Sequence, residues 1–306
     1  MSSTHRLSRL TLVLTLVLVT IGGYTRGSGS GYGCADRWPL CENGLLGGLL
    51  PRAEYHMVVE WTHRWVAALV GVLAIATAIY AWRLCRQKAV VVVPAVAAVL
   101  VIGVQAWLGR MVVQGNLDAD LVSVHLAVSM AVVALLTIVV VATREPLHLP
   151  TARDLGWTGL LTLAAAGSYV VLLLGSSVHN IYIPGWPLVR NTIVPDLSSR
   201  PFAVHTLHRL AAAAVLIYLV YLAISAGARL RPEFERRLLY IAGVAYVVNV
   251  GLGAAHVFTR VGSATLVAGH LALASLVWAL LVAATANTVL IPEEVRADVP
   301  HVDRAS

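Results

Sequence analysis

Apolar runs separated by short polar stretches divide the chain into eight segments, at about 9–26, 56–82, 89–110, 119–142, 155–176, 201–226, 236–258 and 264–287. Most reach the ~20 residues that a helix rising 1.5 Å per residue needs to cross ~30 Å of hydrocarbon. They predict an all-α polytopic membrane protein with eight transmembrane helices. The first segment has a second reading, because Arg6 and Arg9 followed by the Leu/Val/Thr run from Leu10 to Ile21 also fit a signal-peptide apolar region. Two of the connections are long, about 27–55 and 177–200, and their Gly, Pro and Trp content predicts ordered lids. The stretch from Pro292 to Ser306 reads as a solvated tail.

Composition narrows the class. Of 306 residues, 58% are hydrophobic and 12% charged, with a mean hydropathy of +0.80. Soluble domains carry roughly 25% charged residues, so a water-facing surface of this size is excluded. Disorder is excluded too, because the scarce charges do not interrupt the apolar runs. The net charge of +7 has no Lys/Arg run behind it that would make a nucleic-acid patch. Instead it sorts by side. Of the 22 Lys and Arg, 13 fall with the amino terminus and alternate connections, while 7 (Arg26, Arg37, Arg52, Arg110, Arg190, Arg200 and Arg260) fall opposite. That bias places both termini on the cytoplasmic side of the cell membrane.

Cys34 and Cys41 lie in the first outer loop, where oxidising conditions allow a disulfide, although two unrelated thiols would have the same spacing. Cys85 is on the cytoplasmic side without a partner.

The chain repeats itself. Val59-Glu60-Trp61-Thr62-His63-Arg64 aligns with Val204-His205-Thr206-Leu207-His208-Arg209, and His125-Leu126-Ala127 with His270-Leu271-Ala272, both at an offset of 145. Trp38-Pro39-Leu40 and Trp186-Pro187-Leu188 echo one another at an offset of 148. This predicts two tandem four-helix bundles, 1–145 and 150–292, followed by a cytoplasmic tail, 293–306. With four helices each, the halves share one orientation and are related by a pseudo-two-fold axis along the membrane normal.

His63, His125, His208 and His270 fall on segments 2, 4, 6 and 8, each roughly 10 Å below the outer boundary. Ionisable side chains at that depth are costly and face a bundle interior. One such histidine is readily a hydrogen-bonded core residue. Four at one level, 62 residues apart in both halves, fit two bis-imidazole haem positions better. Zinc or copper would want more converging ligands than Glu60 adds. Arg64 and Arg209 follow two of the histidines and can pair with haem propionates or snorkel to the interface. Glu60 is the one carboxylate in the interior of a span, and its counterpart is His205. It shares a helix face with His63 and is a candidate proton relay, or else a structural partner of Arg64 at i+4. His179 and His256 have no repeat partner and are assigned to surface or packing.

Together the eight segments, the Glu60-x-x-His63-Arg64 signature, His125, His208-Arg209, His270 and the Cys34/Cys41 pair resemble the haem A synthase family over essentially the whole chain. The resemblance implies a membrane oxidoreductase that oxidises the C8 methyl of haem O to a formyl group, through successive hydroxylation to a gem-diol. It further implies a haem b cofactor on His208 and His270 in the second half. Haem O would be substrate between His63 and His125 in the first, with Glu60 beside it and Cys34 and Cys41 forming a disulfide. The implied partners are haem O synthase, an electron acceptor and membrane lipid, with no nucleic acid. Some members carry a second cysteine pair in the outer loop of the second half, where this chain has none. A di-haem b-type electron-transfer protein and a haem carrier remain alternative readings of the same histidines.

Overall fold

A computed structural model describes residues 3–42, 49–144, 154–177, 181–192, 197 and 199–290. Each apolar segment forms one helix: α1 (Ser3–Gly27), α2 (Tyr55–Cys85), α3 (Ala89–Gln114), α4 (Ala119–Ala142), α5 (Leu155–Ser177), α6 (Arg200–Ala228), α7 (Glu233–Phe258) and α8 (Ala264–Val289). They hold 23 to 31 residues each, about 35–46 Å of helix, enough to span a bilayer with some tilt. No strand is present among the described residues, and the chain is an all-helical, multi-pass membrane protein. The end bearing the two long loops is called the outer end, after the charge bias.

Turn chemistry fixes several boundaries. The Asp118 side chain accepts hydrogen bonds from the backbone N–H of Asp120 and Leu121, capping α4, and Ser263 caps α8 through Leu266. Pro201 sits in the first turn of α6, where its missing N–H costs nothing.

The helices pack in two closed circuits. In the first, α1 meets α2, α2 meets α3, α3 meets α4 and α4 returns to α1; α5, α6, α7 and α8 do the same in the second. The circuits join where α1 and α4 lie on α8 and α4 lies on α5. Val19, Met130, Val133, Leu172 and Ala279 form the apolar seam. Two aromatic side chains of the second circuit also hydrogen-bond backbone carbonyls of α4, Trp278 to Met130 and Tyr169 to Ala127.

The first segment packs as a structural helix. Its buried face is Thr4, Ser8, Thr11 and Thr15, whereas Leu10, Val13 and Val17 are exposed. This inverted pattern suits a bilayer, where apolar side chains face lipid and small hydroxyl residues let helices approach closely. The Thr11 and Thr77 hydroxyls bond across α1 and α2 at 3.0 Å.

At the inner end the structure corrects one expectation. Helix α7 starts three residues before the segment read from the sequence, and this brings in Glu235, which is fully buried. Glu60 is therefore not the only carboxylate inside the helical core. Glu235 accepts from Trp157 Nε1 at 3.0 Å, Asn287 Nδ2 at 3.1 Å and Arg231 Nε at 3.0 Å, tying α5, α7 and α8 together. Removing the acid leaves the Trp157 and Asn287 donors without their acceptor and Arg231 with Asp154 alone, at 3.5 Å.

Glu235→Ala is expected to destabilise the protein by about 3–5 kcal/mol. Glu233→Ala, which breaks an exposed pair with Arg237 on the same helix, is expected to cost under ~1 kcal/mol. Unfolding of the detergent-solubilised protein checks both, and equal effects would contradict the assigned role of Glu235.

Candidate functional site

A cavity of about 1080 Å³ opens between the helices at the outer end. It exceeds the ~300–1,000 Å³ usual for a site holding one small ligand. All four histidines line it, as do Glu60, Arg64, His205 and Arg209. Parts of both outer loops cover it, Trp38 to Cys41 from one and Ile181 to Ile183 with Trp186 and Pro187 from the other. The histidines sit in the second or third turn of α2, α4, α6 and α8, whose outer ends are their amino-terminal ends.

Each imidazole lies in a notch made by a glycine on the preceding helix. A methyl added at Gly22 would stand 3.1 Å from Cε1 of His63, at Gly109 3.3 Å from Cε1 of His125, at Gly175 3.0 Å from Cε1 of His208, and at Gly253 3.3 Å from Cε1 of His270. The same ring edge faces the glycine every time. Steric demand is therefore one reason these helix positions are glycine despite the ~1 kcal/mol cost relative to alanine.

In the second circuit the notch also exposes a backbone carbonyl. Nδ1 of His208 lies 2.9 Å from the carbonyl oxygen of Val171, and Nδ1 of His270 lies 3.1 Å from that of Asn249. Val171 and Asn249 are each four residues before the notch glycine, Gly175 and Gly253. Without a side chain there, the ring reaches the carbonyl of the preceding turn. A carbonyl only accepts, so Nδ1 carries the proton and Nε2 keeps its lone pair for a metal. A ligand oriented this way is fixed in tautomer and more basic. In the first circuit the Nδ1 atoms of His63 and His125 are buried and have no hydrogen-bond partner.

The residues fit the expected haem groups. Two imidazole pairs, not a tighter cluster, are what bis-axial ligation of a porphyrin iron uses. Among the described residues, no three or more His, Cys, Asp or Glu converge as a metal cluster would require.

Above the histidines the two circuits diverge. Glu60, 3% exposed, accepts from the backbone N–H of Cys34 at 2.7 Å and pairs with Arg64. Arg64 reaches on to the carbonyls of Arg37 at 2.7 Å and Pro39 at 3.2 Å. Cys34 and Cys41 form a buried disulfide. At Gly33 the loop runs so close to α2 that an added Cβ would lie 2.1 Å from the His56 carbonyl oxygen. In the second circuit Arg209 donates to the carbonyls of Gly185 and Ile183, and His205 Nε2 lies 3.2 Å from that of Ile181. Arg64 and Arg209, which the sequence offered as propionate partners or interfacial cations, both hold outer-loop carbonyls. Glu60 lies between Arg64 and the disulfide.

The four glycines escaped the sequence reading, although Gly109 and Gly253 recur at an offset of 144, close to that of the histidines. His256, assigned to surface or packing, is a cavity residue whose ring stands perpendicular to His270 at 5.5 Å. His179 lies outside the described residues.

Gly253→Ala is expected to push the His270 ring off the Asn249 carbonyl and lower the haem retained per purified chain. Gly251→Ala on the same helix, with open space around its added methyl, is expected to leave it unchanged. Pigment-to-protein ratios check the pair, and equal retention would remove the steric role of the notch.

Residues 5–282 match the family model of the COX15-CtaA cytochrome oxidase assembly proteins. The chain is similar to the curated Heme A synthase of Shouchella clausii, with 32% identity covering 90% of this chain and 94% of the relative. The Heme A synthase of Alkalihalophilus pseudofirmus is 28% identical, covering 83% and 86%, and that of Halalkalibacterium halodurans 30%, covering 69% and 72%. The chain belongs to the COX15-CtaA family of cytochrome oxidase assembly proteins.

Proposed function

We propose that this protein is a haem A synthase, converting the C8 methyl of haem O to a formyl group. In this reading the second circuit keeps a resident haem b on His208 and His270, and the first admits haem O between His63 and His125. The supporting observation is the unequal anchoring of the imidazoles. Rings fixed through Nδ1 to Val171 and Asn249 suit a ligand that stays. Rings without that bond can reorient as a substrate enters and leaves.

The haem group supplies the one-electron chemistry when bound. The chain's own residues do the rest. His208 and His270 fix the cofactor's orientation. The outer loops, pinned by Arg64 and Arg209, exclude bulk water from the cavity. Oxidising a methyl releases protons as well as electrons, and Glu60, in the cavity wall beside His63, receives a proton on a carboxylate oxygen. The charge bias supports a topology with the covered end of the cavity on the outer side of the cell membrane and both termini in the cytoplasm. Haem O synthase and an electron acceptor are the expected partners.

Glu60→Ala is expected to keep the second-circuit haem but stall conversion, so that haem O or a hydroxylated intermediate accumulates. Mass analysis of pigments extracted after expression with a haem O source reads this out. Normal haem A yield would contradict the role of Glu60. The same extraction from the unaltered protein tests the whole reading: haem A supports the synthase, haem b alone an electron-transfer protein, and unchanged haem O a carrier.

A further inference from the structure

Three arginines line the cavity, Arg26, Arg64 and Arg209. Two are committed: Arg64 to Glu60 and the carbonyls of Arg37 and Pro39, Arg209 to the carbonyls of Gly185 and Ile183. Arg26 is different. Its Nε is buried with no hydrogen-bond partner, and among the described residues its one hydrogen bond runs from a terminal nitrogen to the Leu117 carbonyl oxygen at 3.4 Å, near the outer limit. It forms no ion pair with any carboxylate of the described residues. A permanently charged guanidinium that is half-buried, with its Nε shut from water and no anion beside it among the described residues, is costly. In the wall of a ligand cavity, that combination fits an anionic group on the ligand.

The position of Arg26 says which part of the ligand. It lies in the last turn of α1, four residues beyond Gly22, so the two share a face with Arg26 about 6 Å further out. Gly22 is the notch that seats the His63 ring. The cation therefore stands one helical turn above an imidazole of the first circuit. A haem offers the matching pattern, an iron at its centre for the imidazole and two carboxylates on one edge. A guanidinium fork is the complement of a carboxylate.

We propose that Arg26 binds a propionate carboxylate of the haem substrate in the first circuit, so that this site selects the free acid and sets its propionate edge toward the outer end. The proposal rests on the reading of the first circuit as the haem O site. It gives Arg26 the role that the sequence suggested for Arg64.

The test titrates haem O and its dimethyl ester, separately, into the full-length protein carrying its resident haem, and follows binding by absorbance. The unaltered protein is expected to bind the free acid about tenfold to a hundredfold more tightly than the ester, the range for a charge-assisted hydrogen bond. Arg26→Gln is expected to weaken the acid to the level of the ester while leaving the ester where it was. Arg26→Lys should keep part of the preference. An unchanged resident-haem spectrum shows that each variant is folded. Equal binding of acid and ester by the unaltered protein would overturn the proposal, as would a preference that survives in Arg26→Gln or equal weakening of both ligands. His63→Ala, run alongside, separates the two claims. If haem O binding is intact in that variant, the first circuit is not the substrate site; if binding is lost there but Arg26→Gln behaves as the unaltered protein, only the role of Arg26 fails.

Discussion

An imidazole inside a membrane bundle must be given room by the helices around it, and the outer half of this structure is arranged around four such rings. Each is admitted by a glycine on the neighbouring helix, which removes the one side chain that would occupy the ring's place. The notch does more where the ring also reaches a carbonyl one turn earlier, as His208 does at Val171 and His270 at Asn249. There a helix backbone, already satisfied within itself, uses a second lone pair to orient a side chain. The same device without the carbonyl bond, at His63 and His125, leaves rings held by shape alone. One steric rule applied four times, with the hydrogen bond made twice, is thus enough to make two similar halves unequal.

The outer loops extend that inequality. Arg64 and Arg209 occupy matched positions and both bind loop carbonyls, yet only Arg64 also meets a carboxylate. Glu60 links it to the backbone of Cys34, so the disulfide loop, the acid and Arg64 form one connected unit in the cavity wall. His205, standing where Glu60 stands in the first half, merely reaches the Ile181 carbonyl. Chemistry that needs a proton acceptor has one in the first circuit and no carboxylate at the matched position in the second.

Much of this was legible in the sequence, for physical reasons that can be named. Eight apolar runs predict eight helices because a bilayer leaves the backbone few other ways to satisfy its hydrogen bonds. The histidines announced themselves because ionisable groups are rare in such runs. Glu60 did so by breaking the repeat. What stayed hidden was of two kinds. Gly22, Gly109, Gly175 and Gly253 are small residues in apolar helices, and only the packing of one helix on the next shows what each makes room for. Glu235 lies at the edge of its apolar run, and its burial depends on Trp157 and Asn287, distant in sequence. The loop carbonyls that Arg64 and Arg209 bind could not be placed from sequence either, because they depend on how the outer loops fold back over the helices.

In the proposed function one site retains its haem and the other exchanges it, because the ligands of one are anchored through Nδ1 and those of the other are not. The direct measurement is the rate at which purified protein loaded with haem b and haem O gives up each pigment to an excess of a haem-scavenging apoglobin. Two phases are expected, with haem O leaving first and haem b retained, the slow phase vanishing in His208→Ala. Loss of haem b as fast as haem O, or a slow phase that persists without His208, would contradict it.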